Sequence, residues 1–354
     1  MKRLTYISRL NMPLSENEIK EIGIISSRNN QKQDITGVLI YFRELFFQII
    51  EGDDVKIDCL YEKIGQDKRH ADILCLKTEY QVEDRYFPNW SMNVINLDNN
   101  TDALIYPVKI LLQTITESHG IIEQYTQPAV LKIISRGINP LTVPARTVEK
   151  IILFADIVSF SAISENLPVE LIALMINRYL EISSEIITAM GGEVTKYIGD
   201  CVMAYFAPEM ADNAVQACLT VLSELEKARQ SANKNSPIRL LYSGFGLSQG
   251  IVIEGNMGSA IKKDYTILGD PVNTAARLEA LTRTVKKAIV LSENVKNSTK
   301  AEWNFVSLGR HDLKGKEKNS EVYYPDHELV NNFDLKNKII QDIRSLSKKE
   351  GIGR

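Results

Sequence analysis

The sequence predicts an α+β protein made of two ferredoxin-like sandwiches with a helical segment between them. Three observations carry this. Strand-like and helix-like patterns over residues 1–96 follow the order β-α-β-β-α-β, and the same order recurs over 148–325. Residues 97–147 instead space their apolar residues as helices do. A chain of 354 residues, 44% hydrophobic and 25% charged, has the length and composition for two ordinary globular cores.

In the first sandwich, Leu4 to Ser8 is short and β-like. Ser15 then caps a helix, with Glu18 three residues on completing a capping box, and that helix runs to about Asn29. Ile35 to Phe42 and Leu45 to Ile50 are β-rich runs joined by the Arg43-Glu44 turn, which predicts a hairpin. A second helix covers Asp54 to Gln66, and Ile73 to Lys77 and Trp90 to Ile95 complete the sheet. Thr101 to Thr114 and Glu117 to Ser135 predict two helices, which form either a packed spacer or a dimer-forming neck. Asn139-Pro140 and Val143-Pro144 then break the chain.

The second sandwich opens with a strand at Lys150 to Ala155. Pro168 starts a long helix and Gly191-Gly192 ends it. Val194 to Ile198 and Cys201 to Phe206 are strands around the tight Gly199-Asp200 turn. A helix over Ala211 to Arg229, strands at Leu240 to Leu247 and Gln249 to Glu254, and a short helix over Val272 to Leu281 follow. The domains are thus 1–96, 97–147 and 148–325, and the polar, lysine-rich tail 326–354 reads as loosely ordered.

Forty-two basic against forty-five acidic residues leave a net charge of −3, without the basic stripe of a nucleic-acid binder. The longest apolar run, Val38 to Ile50, is broken by Arg43 and Glu44 and is too short to span a bilayer. A strand pattern from Leu4 onward leaves no room for a signal peptide. Cys59, Cys75, Cys201 and Cys218 form no CxxC pair and read as buried free thiols of a reducing cytosol. These features together predict a soluble, cytoplasmic protein.

Chemistry concentrates first in the second sandwich. Asp156 ends a strand and Asp200 sits in a hairpin turn; carboxylates fixed at strand ends are hard oxygen ligands suited to Mg²⁺. A Gly-Asp turn is equally ordinary turn chemistry. Asn273 and Arg277, four apart on a helix, project from one face and suit ribose and phosphate. Gly244, Gly246 and Gly250 resemble a dinucleotide fingerprint only superficially, because they fall in a predicted β-hairpin rather than at a strand-to-helix turn.

The stretches Phe154-Ala155-Asp156-Ile157-Val158-Ser159-Phe160, Gly192 through Asp200, Gly255-Asn256-Met257-Gly258-Ser259 and Tyr265 through Arg277 resemble, in order, the class III nucleotidyl cyclase catalytic domain. That resemblance implies two Mg²⁺ (or Mn²⁺) ions held by Asp156 and Asp200 with the Ile157 carbonyl. It implies a purine read by Lys196 and Thr266, and a ribose and transition state met by Asn273 and Arg277. Terminal phosphates would be met by Lys314, with Lys316 an equal choice. A lysine only donates, which suits adenine N1, and a threonine hydroxyl accepts from the exocyclic amine, so ATP is favoured over GTP. Many family members carry Asp where this chain has Thr266. Because the family builds each site between two catalytic domains, a head-to-tail homodimer with two shared sites is implied.

In the first sandwich, Tyr6 and Gln48 are polar groups on strands among apolar neighbours and read equally as satisfied core residues. Asn30 reads as a helix C-cap, and Asp67-Lys68-Arg69-His70 as a solvated turn. Together with Arg28-Asn29-Asn30, Ile35 to Leu39, Phe46 to Gly52 and Trp90-Ser91-Met92, they resemble the BLUF domain, a blue-light sensor that uses flavin. The resemblance implies FAD or another flavin between the two helices, with Gln48 bonded to the flavin and to Tyr6. Asn30 and Arg69 would lie at the ring's polar edges, with Asp67 and His70 nearby. Trp90 and Met92, on the last strand, would carry the change to the neck.

The two resemblances together imply a light-regulated cyclase that makes cyclic AMP. A guanylyl cyclase, a flavin redox enzyme with a nucleotide-binding appendage, and a light-regulated scaffold remain as alternatives.

Overall fold

In a computed structural model that describes residues 1–343 apart from 13, 98–105, 137, 260, 312–319, 332 and 336–338, the chain divides into two units, Met1–Val143 and Pro144–Arg354. The first runs β1 (Lys2–Leu10), α1 (Glu16–Gln33), β2 (Thr36–Phe42), β3 (Leu45–Gly52), α2 (Asp54–Gly65), β4 (His70–Glu79), β5 (Asn93–Asn96), α3 (Tyr106–Tyr125) and α4 (Pro128–Ser135). Among the described residues its sheet has five strands in the order β4-β1-β3-β2-β5, antiparallel except where β5 joins β2. The β4-β1-β3-β2 part is the predicted ferredoxin-like arrangement.

Alternation along β1 decides what each face does. Leu4 and Tyr6 face α1 and α2, in a core with Ile19, Leu39, Phe46, Ile50 and Ile57. Ile7 faces the other way, where Phe42, Leu74 and Leu97 pack with Leu112 of α3 and Ile134 of α4. The capping box at Ser15 and Glu18 is present in both directions. It starts α1, but the helix continues to Gln33 and ends at Asp34 in the left-handed conformation (φ 55°). Asn30 is therefore a buried residue inside the helix and not its cap.

Two further boundaries differ. The helices expected at 101–114 and 117–135 are instead one helix, α3, and a shorter one, α4. Nothing between Thr114 and Glu117 breaks the pattern, whereas Pro128 sits in the first turn of α4 behind an extended Gln127. The last strand starts at Asn93, so Trp90 and Met92 precede it. Cys75 and Cys218 are buried as expected, but Cys59 on α2 is exposed and Cys201 is half-buried.

The second unit runs β6 (Arg146–Ile157), α5 (Phe160–Asn166), α6 (Val169–Ala189), β7 (Glu193–Ile198), β8 (Cys201–Phe206), α7 (Ala211–Ser231), β9 (Ser243–Gly258), β10 (Lys263–Leu268), α8 (Asp270–Val285), β11 (Ile289–Ser292), α9 (Glu293–Ser298), β12 (Phe305–His311) and β13 (Ser320–Pro325). Its sheet has eight strands among the described residues, ordered β12-β13-β11-β9-β6-β8-β7, with β10 paired to β9 alone. The β9-β6-β8-β7 part repeats the arrangement of the first unit. Ile151, Leu153 and Phe245 pack with Met175, Tyr179 and Val215 of α6 and α7 on one face. Ile152, Phe154, Met203 and Val252 pack with Ile267 of β10 and Ala275 of α8 on the other.

The two strands expected between Leu240 and Glu254 are one sixteen-residue strand, β9. Its glycines serve packing. A Cβ on Gly246 would lie 2.2 Å from the Ala275 carbonyl and the Glu279 amide, one on Gly244 would lie 2.5 Å from Thr282, and one on Gly250 2.9 Å from Pro271. All three stand on the same face of β9, so α8 lies directly on the strand backbone. The tail also departs from expectation. Phe333, Leu335, Ile339 and Ile343 are buried in the main core, because apolar residues at four-residue spacing let even a lysine-rich segment cover it. Residues 344–354 lie outside the described residues.

Candidate functional site

Strand register brings the two candidate metal ligands together. Ala155 pairs with Val202 and Asp156 with Gly244, so the β7–β8 turn carries Asp200 to the end of β6. Gly199 makes that turn at φ 67°, where a side chain is disfavoured. The Ile157 amide donates to Asp200 Oδ2 at 3.2 Å. Burial and the adjoining Asp156 carboxyl, within hydrogen-bond reach, push the Asp200 carboxyl up to about 7.

Two residues absent from the sequence-derived set complete this cluster. Arg283, on the last turn of α8, donates to Asp156 Oδ2 at 3.0 Å and pairs with Glu279 one turn earlier. Glu279 is 7% exposed, and burial pushes its carboxyl up to about 7 against the pull of Arg283. The only sequence signal was their i,i+4 spacing, which usually marks a surface pair. Among the described residues no three carboxyls converge as a metal-ligand group, and it is the Asp156–Asp200 pair, two hard oxygen donors held side by side, that fits a divalent cation.

These raised values set a pH dependence. Both carboxyls keep protons in the folded chain at pH values where an unfolded chain has released them. Their contribution is therefore complete below about pH 4 and lost as pH rises through about 7. In chelator, the melting temperature should fall between pH 5 and pH 8. Asp200→Asn should flatten that fall, and Mg²⁺ should stabilise the wild type more at pH 8 than at pH 5. Parallel profiles for wild type and variant would remove this account.

Lys196 falls in a different contact set. It stands opposite Met203, on the sheet face that β10 and α8 cover. Its ammonium lies 3.7 Å from the Asp264 carboxylate on β10, two residues from Thr266, which is buried at 8% exposure. Asn273 and Arg277 stand one turn apart on α8, Asn273 exposed and Arg277 half-buried. Lys314 and Lys316 lie outside the described residues.

In the first unit the Tyr6 hydroxyl, 1% exposed, donates to Gln48 Oε1. Among the described residues the Gln48 amide end meets the thioether of Met92, at 3.5 Å. A thioether is a weak acceptor, so Gln48 keeps donor capacity for a stronger one, such as a flavin ring nitrogen or carbonyl. Burial holds the Tyr6 phenol well above its usual range. Asn30 donates to the Ser91 carbonyl at 2.9 Å. Arg69 is half-exposed and forked onto Asp67, whose carboxyl it lowers to about 2. His70 contacts Ser8 Oγ through Nδ1 at 2.8 Å, and burial lowers its pKa. A residue the sequence did not single out, Tyr61, places its ring 5.5 Å from Tyr6 and donates to the Ser135 carbonyl at the end of α4.

Comparison with known proteins matches this geometry. The family described as sensors of blue-light using FAD matches residues 1–93, and the adenylate and guanylate cyclase catalytic domain matches residues 143–325. The photoactivated adenylate cyclase subunit alpha of Euglena gracilis is 32% identical over 293 residues, 82% of this chain and 29% of that protein. The subunit beta of Euglena longa is 30% identical over 82% of this chain and 34% of its own length. The chain thus spans about a third of the length of these curated relatives. A solved bacterial light-regulated adenylyl cyclase is 50% identical, covers 98% of this chain and 99% of its own, and superposes with a TM-score of 0.88. No helix among the described residues is long and apolar enough to cross a membrane. With both domains in this order and a half-identical structure aligned end to end, the chain belongs to the family of light-regulated adenylyl cyclases.

Proposed function

We propose that blue light absorbed by FAD in the first unit raises conversion of ATP to 3′,5′-cyclic AMP and pyrophosphate in the second. The observation that carries the catalytic half is the Asp156–Asp200 pair, two carboxyls within hydrogen-bond reach at a strand end. Asp156 and Asp200, with the Ile157 carbonyl, would hold two divalent cations, which when bound acidify the ribose 3′-hydroxyl and neutralise the leaving pyrophosphate. Lys196 donates to adenine N1 and Thr266 accepts from the exocyclic amine. Asn273 orients the ribose, and Arg277 meets the charge that develops on the phosphoryl oxygens. Lys314, or equally Lys316, would meet the terminal phosphates.

In the sensor, Tyr6, Asn30, Gln48, Asp67, Arg69, His70 and Met92 would line the flavin, which when bound supplies light absorption and an excited-state electron acceptor. The Tyr6 phenol would give up an electron to that acceptor together with its proton, which leaves along the hydrogen bond toward Gln48. The Gln48 carboxamide then exchanges donor and acceptor ends, which an amide can do within one volume. The direct test gives the flavin-loaded protein ATP and Mg²⁺, dark and lit, with cyclic AMP measured. Equal dark and lit yields, or cyclic GMP from GTP as the main product, would overturn the proposal.

Each catalytic site is shared between two chains in a homodimer. Lys196 and Asp200 are four residues apart yet fall in separate contact sets, and the exposed Val108, Leu111, Ile121 and Ile122 of α3 supply apolar surface for association. Mixing Asp156→Ala with Arg277→Ala chains should therefore restore activity. About half of randomly assorted dimers are mixed, each with one intact site of two, so roughly a quarter of wild-type activity returns. Absence of recovery after demonstrated subunit exchange would refute the shared site.

A further inference from the structure

We infer that Tyr179 and Ser243 are positioning residues for the metal site: acting in series, they fix the backbone at the end of β6 that meets Asp200 and a cation. This rests on the reading of Asp156, Ile157 and Asp200 as metal ligands. Ala155 pairs with Val202, and β8 begins only one residue earlier, so past Ala155 the backbone of β6 has no ladder partner on that side. The direction of its peptide groups there must be set from elsewhere.

It is set from the β9 side. Ser243, opposite Ile157, donates its hydroxyl proton to the Asp156 carbonyl at 3.1 Å, with the Gly244 carbonyl farther off at 3.4 Å. A serine hydroxyl has one proton to give, so in the 2.9 Å contact between Tyr179 and Ser243 the phenol is the donor. The relay therefore runs from the Tyr179 hydroxyl through the Ser243 hydroxyl to the Asp156 carbonyl. Two residues beyond Asp156, the Val158 amide donates to the Tyr242 carbonyl at 2.8 Å.

In a trans peptide the C=O and N–H point opposite ways. With the Asp156 carbonyl held toward β9, the Ile157 amide of the same peptide faces Asp200 and donates to its Oδ2 at 3.2 Å. With the Val158 amide held toward β9, the Ile157 carbonyl faces that same side. Donation to the Asp156 carbonyl also polarises the peptide, which strengthens its N–H as a donor to Asp200. Tyr179 and Ser243 are both fully buried, where a phenyl ring and a methyl group would pack as well. What the hydroxyls add is direction.

The test measures Mn²⁺ binding to the flavin-loaded, full-length protein, beside its melting temperature. Ser243→Ala should weaken Mn²⁺ binding roughly tenfold or more, the usual effect of removing a group that orients a metal ligand. Tyr179→Phe should weaken it less, through the same carbonyl. Adding Tyr179→Phe to Ser243→Ala should change binding no further, since the phenol acts only through the serine. Ser183→Ala is the control: one turn along α6 from Tyr179, it removes a buried hydroxyl that has no hydrogen-bond partner among the described residues, and binding should stay at the wild-type level. Asp200→Ala is measured beside them. If it leaves Mn²⁺ binding intact, the metal-ligand reading falls and the relay falls with it. If it weakens binding while Ser243→Ala does not, the metal site stands and the positioning role is overturned. A lower melting temperature in Ser243→Ala and Tyr179→Phe with wild-type Mn²⁺ affinity, or an equal loss of affinity in Ser183→Ala, marks the two hydroxyls as merely structural and also overturns the proposal.

Discussion

Asp156→Ala or Asp200→Ala abolishes cyclic AMP formation and leaves the flavin spectrum and its light-induced shift unchanged. Removing either carboxylate takes away half of the charged ligand set at the end of β6. Cation binding there is worth several kcal/mol of charge stabilisation, so the loss should be at least on the order of 10³-fold. The sensing residues belong to the other unit, so absorbance should not notice. Asp156→Ala has a second consequence that Asp200→Ala lacks, because it strips Arg283 of its 3.0 Å partner. Arg283 then keeps Glu279 and the Thr282 hydroxyl, and titration with Mn²⁺ should show weaker binding in both variants. Full activity in either, or loss of flavin, would refute the assignment of these carboxylates to the cyclase.

Tyr6→Phe should keep the flavin but lose both the light-driven red shift and the light-induced rise in activity. The ring still packs against Tyr61 and the core, so the only atom removed is the oxygen that donates to Gln48. Without that donor, Gln48 Oε1 has no proton to receive and no reason to exchange its ends. Dark cyclase activity should persist, since the carboxyl cluster lies in the second unit. If Tyr6 were only a buried hydroxyl with one satisfied hydrogen bond, the substitution would cost on the order of 1 kcal/mol of stability and nothing else. Absorbance before and after blue light separates the two. A normal shift and normal photoactivation in Tyr6→Phe would sink the proton-donor role.

Both ferredoxin-like sheets were legible because their signals are local. The Ser15–Glu18 box, the Arg43-Glu44 turn and the Gly199-Asp200 turn are each written in a few adjacent residues. What was not legible depends on packing across the fold. Glu279 and Arg283 look like a surface i,i+4 pair until α8 is laid on β9, which buries one and aims the other at Asp156. Tyr61 looks like a helix residue of no note until the sheet brings Tyr6 beneath it. The break between α3 and α4 was misplaced because apolar spacing alone does not show where a helix stops, while Pro128 does. The glycines of β9 were read as a hairpin for the opposite reason: glycine usually signals a turn, and here it signals the approach of a helix.

That approach constrains how this sequence can drift. At Gly246 the smallest possible change, one methyl group, collides with backbone atoms of α8 that have no rotamer to escape into. The helix would have to rise, and with it Asn273, Arg277, Glu279 and Arg283 would move together, although none of them had been altered. A position that carries no functional side chain is thereby as intolerant of substitution as the carboxylates themselves. A survey of viable variants should find β9 held to glycine at 244 and 246 while its exposed residues, such as Ile251, vary freely.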